Sequence, residues 1–147
     1  MDNSETSITP IPIVEDIDHC QNQLSQRSVR VSNGTDNIVI VFASREGYTF
    51  TIAKDGTLTK QTALTSCELT LGPRCSSVIH FESTVELVYF QVFICKNGKG
   101  RFYLGSREIE PGFTYRILQK LVDSVESRPH HIYDENFEEI HIQSFSF

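Results

Sequence analysis

The sequence predicts an all-β domain (a sandwich, barrel or jelly roll) with one helix inserted near the C-terminus. Three observations carry this. From Val29 onward, short runs rich in Val, Ile, Phe and Tyr recur along the chain. Turn signals built on Gly, Asn, Asp and Pro separate these runs about every 8–12 residues. Only Ile117, Leu118, Leu121, Val122 and Val125 repeat at helical spacing as a single apolar stripe.

Taken in order, Val29 and Val31 lead into a turn at Ser32-Asn33-Gly34. Ile38 to Phe42 is an apolar, β-branched strand. Tyr48 to Ile52 alternates cleanly and ends at Lys54-Asp55-Gly56, a hairpin signal. Cys67, Leu69 and Leu71 share a face of the next strand, which Gly72-Pro73 ends. Ser76 to Phe81 forms another. Glu86 to Cys95 is apolar at both parities, the pattern of a central strand covered on both sides. Lys96 to Gly100 turns the chain, and Arg101 to Leu104 returns. Gly105 to Glu108 reads as a short turn, and Pro111-Gly112 as another. The helix is expected within 114–127, between the penultimate and last strands, and Ser127-Arg128-Pro129 stops it because the residue before a proline avoids helical backbone. In the last strand, Glu138 to Phe147, Ile140 and Ile142 share one parity while Phe145 and Phe147 have the other. That predicts a bulge near Gln143-Ser144.

The 147 residues suffice for one domain, with 39% hydrophobic and 22% charged residues, a globular composition. The formal charge of −6 is uneven. Residues 1–26 carry five acids and no Lys or Arg, while the rest has fourteen acids against thirteen bases. Residues 1–26 therefore read as an acidic, flexible leader, extended or irregular at 9–13 near Pro10 and Pro12; the other reading docks Ile13-Val14 and Ile17 onto a sheet, with a short helix at 14–25. Residues 27–147 read as the β-domain. The near-neutral body offers no electrostatic footprint for phosphates, so direct nucleic-acid binding is not expected. No apolar run has the length of a membrane span, and the start lacks a signal-peptide pattern, which predicts a soluble, intracellular chain. Cys20, Cys67, Cys75 and Cys95 form no CxxC pair and are expected to be reduced and mostly buried. The Asn33-Gly34-Thr35 sequon is expected to be a turn.

Phosphate loops, a nucleophile elbow, dinucleotide fingerprints and zincin helices are absent. The remaining chemistry-bearing cluster is His80, Glu82 and Glu86, which share a parity, joined by His130 or His131 from the last hairpin. Such a set suits Fe(II) or Mn(II). The opposing reading is simpler. Ile79 and Phe81 form the apolar face of that strand, so His80 and Glu82 belong in solvent, because burying them without an ion costs several kcal/mol.

From Cys67 onward the chain resembles a cupin. Cys67-Glu-Leu-Thr-Leu-Gly-Pro73 leads to His80-Phe-Glu82-Ser-Thr-Val-Glu86, and Glu86 opens the long apolar strand. Gly105-Ser-Arg-Glu-Ile-Glu-Pro111-Gly112 and Pro129-His-His-Ile-Tyr-Asp-Glu-Asn136 follow. The second histidine of the cupin metal pattern is Glu82 here, the glycine expected seven residues after the glutamate is Phe93, and a helix is inserted after Gly112. These departures look like a cupin that kept its barrel and gave up its ion. Thr84-Val-Glu-Leu-Val-Tyr-Phe, Gly112-Phe-Thr-Tyr-Arg-Ile and His131-Ile-Tyr-Asp-Glu-Asn136 make the chain most similar to the C-terminal cupin domains of the centromere protein C (Mif2) family, without that family's Val-Pro-x-Gly-Asn turn.

The resemblance implies a cupin-like jelly-roll barrel that binds no cofactor and pairs with a second copy of itself. It also implies recruitment of another protein at the centromere or kinetochore of a nuclear chromosome. The expected dimer face is Val88, Phe90, Val92 and Phe102 or their neighbours of alternate parity. The inserted helix (Ile117, Leu121, Val125) is expected to cover an edge or form a partner groove. The alternative is a small metal-dependent cupin enzyme, a dioxygenase or isomerase, with His80, Glu82, Glu86 and His131 as ligands. A β-trefoil or PH-like binding domain is a third reading, weakened by the lack of three-fold repetition and by the strand after the helix.

Overall fold

The computed structural model describes residues 27–96 and 99–143, with backbone alone for 141–143. Expectations for the leader, its short helix and the bulge near Gln143-Ser144 fall outside or at the limit of those residues. The described chain runs β1 (Ser28–Gly34), β2 (Ile38–Ser44), β3 (Phe50–Ile52), β4 (Leu58–Lys60), β5 (Ser66–Leu71) and β6 (Ser76–His80). It continues through β7 (Val88–Lys96), β8 (Gly100–Ile109), β9 (Thr114–Leu118), α1 (Gln119–Glu126), β10 (His130–Tyr133) and β11 (Glu139–Gln143). The fold is all-β and jelly-roll-like with one helix, as the patterning predicts. Among the described residues no helix is long and apolar enough to cross a membrane.

Two sheets face each other. A six-stranded antiparallel sheet has the order β11-β10-β8-β7-β2-β5, and a three-stranded sheet has the order β6-β1-β9, with β1 and β9 parallel. Between them lies the main core. One parity of β2 and β7 supplies Val39, Val41, Ala43, Val88, Phe90, Val92 and Ile94, and β1 answers with Val29 and Val31. The other parity is also covered. Ile40, Phe42 and Phe93 pack with Tyr133 and with Phe50 of the separate β3–β4 hairpin in a second, aromatic cluster. The doubly apolar pattern of β7 therefore has an intramolecular explanation: each face of the central strand meets its own layer.

The helix is shorter than the periodicity predicts. Thr114–Leu118 is a strand paired in parallel with β1, and α1 begins only at Gln119. Thr, Tyr and Ile are good strand formers, and the edge of β1 was open to receive them. α1 is followed by two strands rather than one, because His130–Tyr133 pairs with both β8 and β11. Gly105 does not turn the chain. β8 continues through it with a bulge opposite Val92/Phe93, where Gly105 takes φ +143°.

Candidate functional site

The six-stranded sheet ends at β5 and the three-stranded sheet ends at β6. The two strands are joined through Gly72–Cys75 and diverge from that turn. At the open end of the resulting seam is a cleft of about 530 Å³, lined by Arg45, Glu46, Thr65, Ser66, Cys67, His80, Phe81, Glu82 and Ser83. Each wall follows from the local sequence. The β2 strand ends at Ser44, so the charged pair Arg45-Glu46 emerges at the rim. Alternation along β5 turns Cys67 and Leu69 toward the main core, where they are half-buried. Alternation along β6 buries Ile79 and leaves His80 exposed, as the sequence predicts.

The polar groups of the cleft bond to protein neighbours. Arg45 Nη1 donates to Ser83 Oγ. Glu46 Oε1 accepts the Thr65 N–H at 3.0 Å, and the Ser66 and Thr49 hydroxyls bond at 2.8 Å. His80 Nδ1 and Ser28 Oγ are 2.9 Å apart. Burial, with a smaller contribution from Glu68, pushes the Cys67 thiol up, so it stays protonated at neutral pH and is not a poised nucleophile. The cleft thus offers hydroxyls, one exposed imidazole, mixed charge and the half-covered Phe81 ring. It suits recognition of a chain segment better than covalent chemistry.

The metal set suggested by the sequence is not assembled. His80 and Glu82 line the cleft, and Glu86 is exposed beyond it. His131 lies elsewhere: its Nδ1 meets Glu139 Oε2 at 2.6 Å, and its ring covers Gly56 of the β3–β4 turn, on the aromatic side of the six-stranded sheet. Among the described residues, no group of three or more His, Cys, Asp or Glu side chains is placed to hold an ion. His130 stacks at 4.3 Å on Phe102.

The residues expected at a dimer face are interior. Val88, Phe90, Val92 and Phe102 are 0–2% exposed within one chain. Their neighbours of alternate parity, Gln91 and Phe93, are equally covered, while Tyr89 and Tyr103 are half-buried. Ile117, Leu121 and Val125, expected to form a partner groove, face inward at 1–7%. In each case an apolar stripe that reads as spare surface is consumed by a layer of the same molecule. Asn33 of the sequon is fully buried, and the turn expected at 32–35 comes later: Ser32, Asn33 and Gly34 are still part of β1, and the chain bends at 35–37, where the Asn33 amide donates to the Asn37, Leu71 and Gly72 carbonyls and its Oδ1 accepts from Thr35. Cys67 and Cys95 are half-buried and free. Cys75 is exposed, contrary to expectation, because it sits in the turn between β5 and β6.

Sequence reasoning singled out His80, Phe81, Glu82 and Cys67 but missed Arg45, Glu46, Thr65, Ser66 and Ser83. The available signal was the charged pair that directly follows an apolar strand. The chain matches no family model and no curated protein.

Proposed function

We propose that this chain is a non-catalytic protein-interaction module that pairs with a second copy of itself and recruits a further protein. This is the role implied by its likeness to the C-terminal cupin domains of the centromere protein C family, and centromere or kinetochore assembly is the setting that likeness implies. One observation carries the non-catalytic reading. The side chains that a metal-dependent cupin would gather around one ion are distributed over opposite sides of the six-stranded sheet, with His80 bonded to Ser28 and His131 to Glu139. Ligation needs donors within about 2.0–2.3 Å of a common centre. The alternative, a dioxygenase or isomerase using His80, Glu82, Glu86 and His131, would require the two sides to meet.

Self-association requires a surface other than the buried Val88 stripe. The large apolar side chains most exposed among the described residues are Ile38 and Ile140, at 42% and 50%. Ile140 belongs to β11, the outermost strand of the six-stranded sheet among the described residues, and a strand edge that lacks a neighbour is a template for pairing with another chain. Light scattering at about 100 μM is expected to give the mass of two chains for the wild type and one for Ile140→Lys. A wild-type mass of one chain removes the dimer. Stoichiometric binding of Fe(II) or Mn(II), abolished in His80→Ala and His131→Ala, turns the reading toward the enzyme.

A further inference from the structure

The loop 81–87 joins β6 to β7 without regular secondary structure. Glu82, Ser83, Thr84 and Glu86 are exposed along it, and Val85, at 6%, is the one buried side chain within 82–86. Ser83 carries a hydroxyl with a carboxylate on each side, Glu82 directly before it and Glu86 three residues after it. Protein kinases take up exposed segments in extended form and select them by their charge pattern. A serine with carboxylates at these positions fits an acid-directed kinase, whose basic groups pair with the flanking acids. Release of Val85 frees the segment, a local opening far short of global unfolding.

The same place holds a receptor for a phosphate. Arg45, directly after β2, is exposed and donates from Nη1 to Ser83 Oγ. Arg27 Nη1 donates to the Glu82 carbonyl at 3.2 Å, so a second guanidinium stands beside this stretch of the loop. A phosphorylated serine carries close to two negative charges and three acceptor oxygens, and a guanidinium meets it with parallel N–H donors. Thr65 gives the contrast. It lines the same cleft, is exposed and has Glu68 three residues on, but its N–H is held by the Glu46 carboxylate at 3.0 Å. A phosphate there would meet an acid instead of a guanidinium. Glu46, His80 and Glu82 are the other titratable groups that line the cleft with Arg45 and Cys67. The two carboxylates oppose a phosphate on Ser83, so its retention depends on Arg45.

We propose that Ser83 is a phosphorylation site for an acid-directed serine/threonine kinase, and that Arg45 holds the phosphate and so ties the end of β2 to the β6–β7 loop at the cleft. Ser83 Oγ attacks the γ-phosphorus of ATP, the bond to the β-phosphate oxygen breaks, ADP leaves, and the hydroxyl proton passes to the catalytic aspartate of the kinase. Neither the dimer nor the centromere setting is required. The folded full-length chain is incubated with such a kinase and MgATP, and modified residues are mapped by mass spectrometry in the wild type and in Ser83→Ala. A phosphate on Ser83, absent from the variant, is expected, with Thr65 unmodified. Phosphorus-31 NMR then follows the ionisation of that phosphate in the wild type and in Arg45→Ala, which truncates an exposed side chain. The second pKa of the phosphate is expected at about 5.5 with Arg45 present and about 6 without it. An unmodified Ser83, or a phosphate on Thr65 in its place, overturns the site. Equal phosphate pKa values in the two chains overturn the role of Arg45.

Discussion

Gln91 is 1% exposed in the centre of β7, where a polar side chain is costly unless its bonds are met. Its Oε1 accepts the Phe50 N–H at 2.7 Å and its Nε2 donates to the Phe50 carbonyl at 2.8 Å, so one amide clips the β3–β4 hairpin onto the sheet. Phe137 works to the same end. It sits at φ +62°, an unfavourable conformation for a bulky residue, and its ring stands 4.9–5.4 Å from those of Phe93, Phe50 and Phe42. Tyr133 donates to the Gly56 carbonyl at 2.6 Å. Burial pushes the phenols of Tyr103 and Tyr133 well above the usual range, with Glu139 adding to the effect at Tyr133. The folded state therefore favours neutral phenols. Their contribution is complete below the unfolded-chain value of about 10 and declines as pH rises beyond it, because only the unfolded chain then ionises readily. Thermal melts between about pH 8 and 11 should show a midpoint that falls from about pH 10 upward. A flat profile would mean that these hydroxyls are not sealed from water.

The elements differ in how well their sequences declare them. β7 declares itself: apolar residues at both parities say that two layers cover it, and two layers do. The β3–β4 hairpin is equally legible through Asp55-Gly56, and the structure adds why the glycine is required. Gly56 has φ +94°, and a Cβ there would stand 2.3 Å from the His131 ring. Gly56→Ala should destabilise by about 2 kcal/mol, read as a lower denaturation midpoint. Adding His131→Ala should recover part of that loss by removing the clash while the backbone strain remains. An undiminished loss in the double variant would show that the ring is not pressed against the turn. β9 is illegible by the same reasoning. Ile117 and Leu118 complete a helical stripe with Leu121, Val122 and Val125, yet the stripe bends from strand to helix at Leu118 because pairing with β1 satisfies the backbone of 114–118. Gly105 was misread for a related reason. A glycine marks a turn or a bulge equally well, and only the partner strand decides.

At the scale of the whole molecule, one sheet serves two cores, since β2 and β7 contribute to both. Neither cluster can dissolve without uncovering a face of the strands that build the other. The chain has five tyrosines and no tryptophan, and Tyr103 and Tyr133 belong to the aromatic side. Denaturant unfolding followed by tyrosine fluorescence and by far-ultraviolet circular dichroism should therefore give coincident transitions. A tyrosine signal lost at lower denaturant would show that the β3–β4 layer melts on its own. The same sharing explains the misassigned dimer face. Val88, Phe90, Val92 and Phe102 read as surplus apolar surface only if the domain is imagined with a single core.

The amino-acid order by itself determined the all-β class, most strand positions, the late helix, the exposure of His80 and Glu82 and the structural use of Asn33, because each depends on period, turn chemistry or parity within a few residues. The tertiary structure alone decided that both parities of β7 are consumed internally and that His131 stands apart from His80. It also placed Arg45, Ser66 and Ser83 around one cleft. Those outcomes rest on which strands pair across more than twenty residues of chain, and local patterning carries no information about which open edge a strand will find.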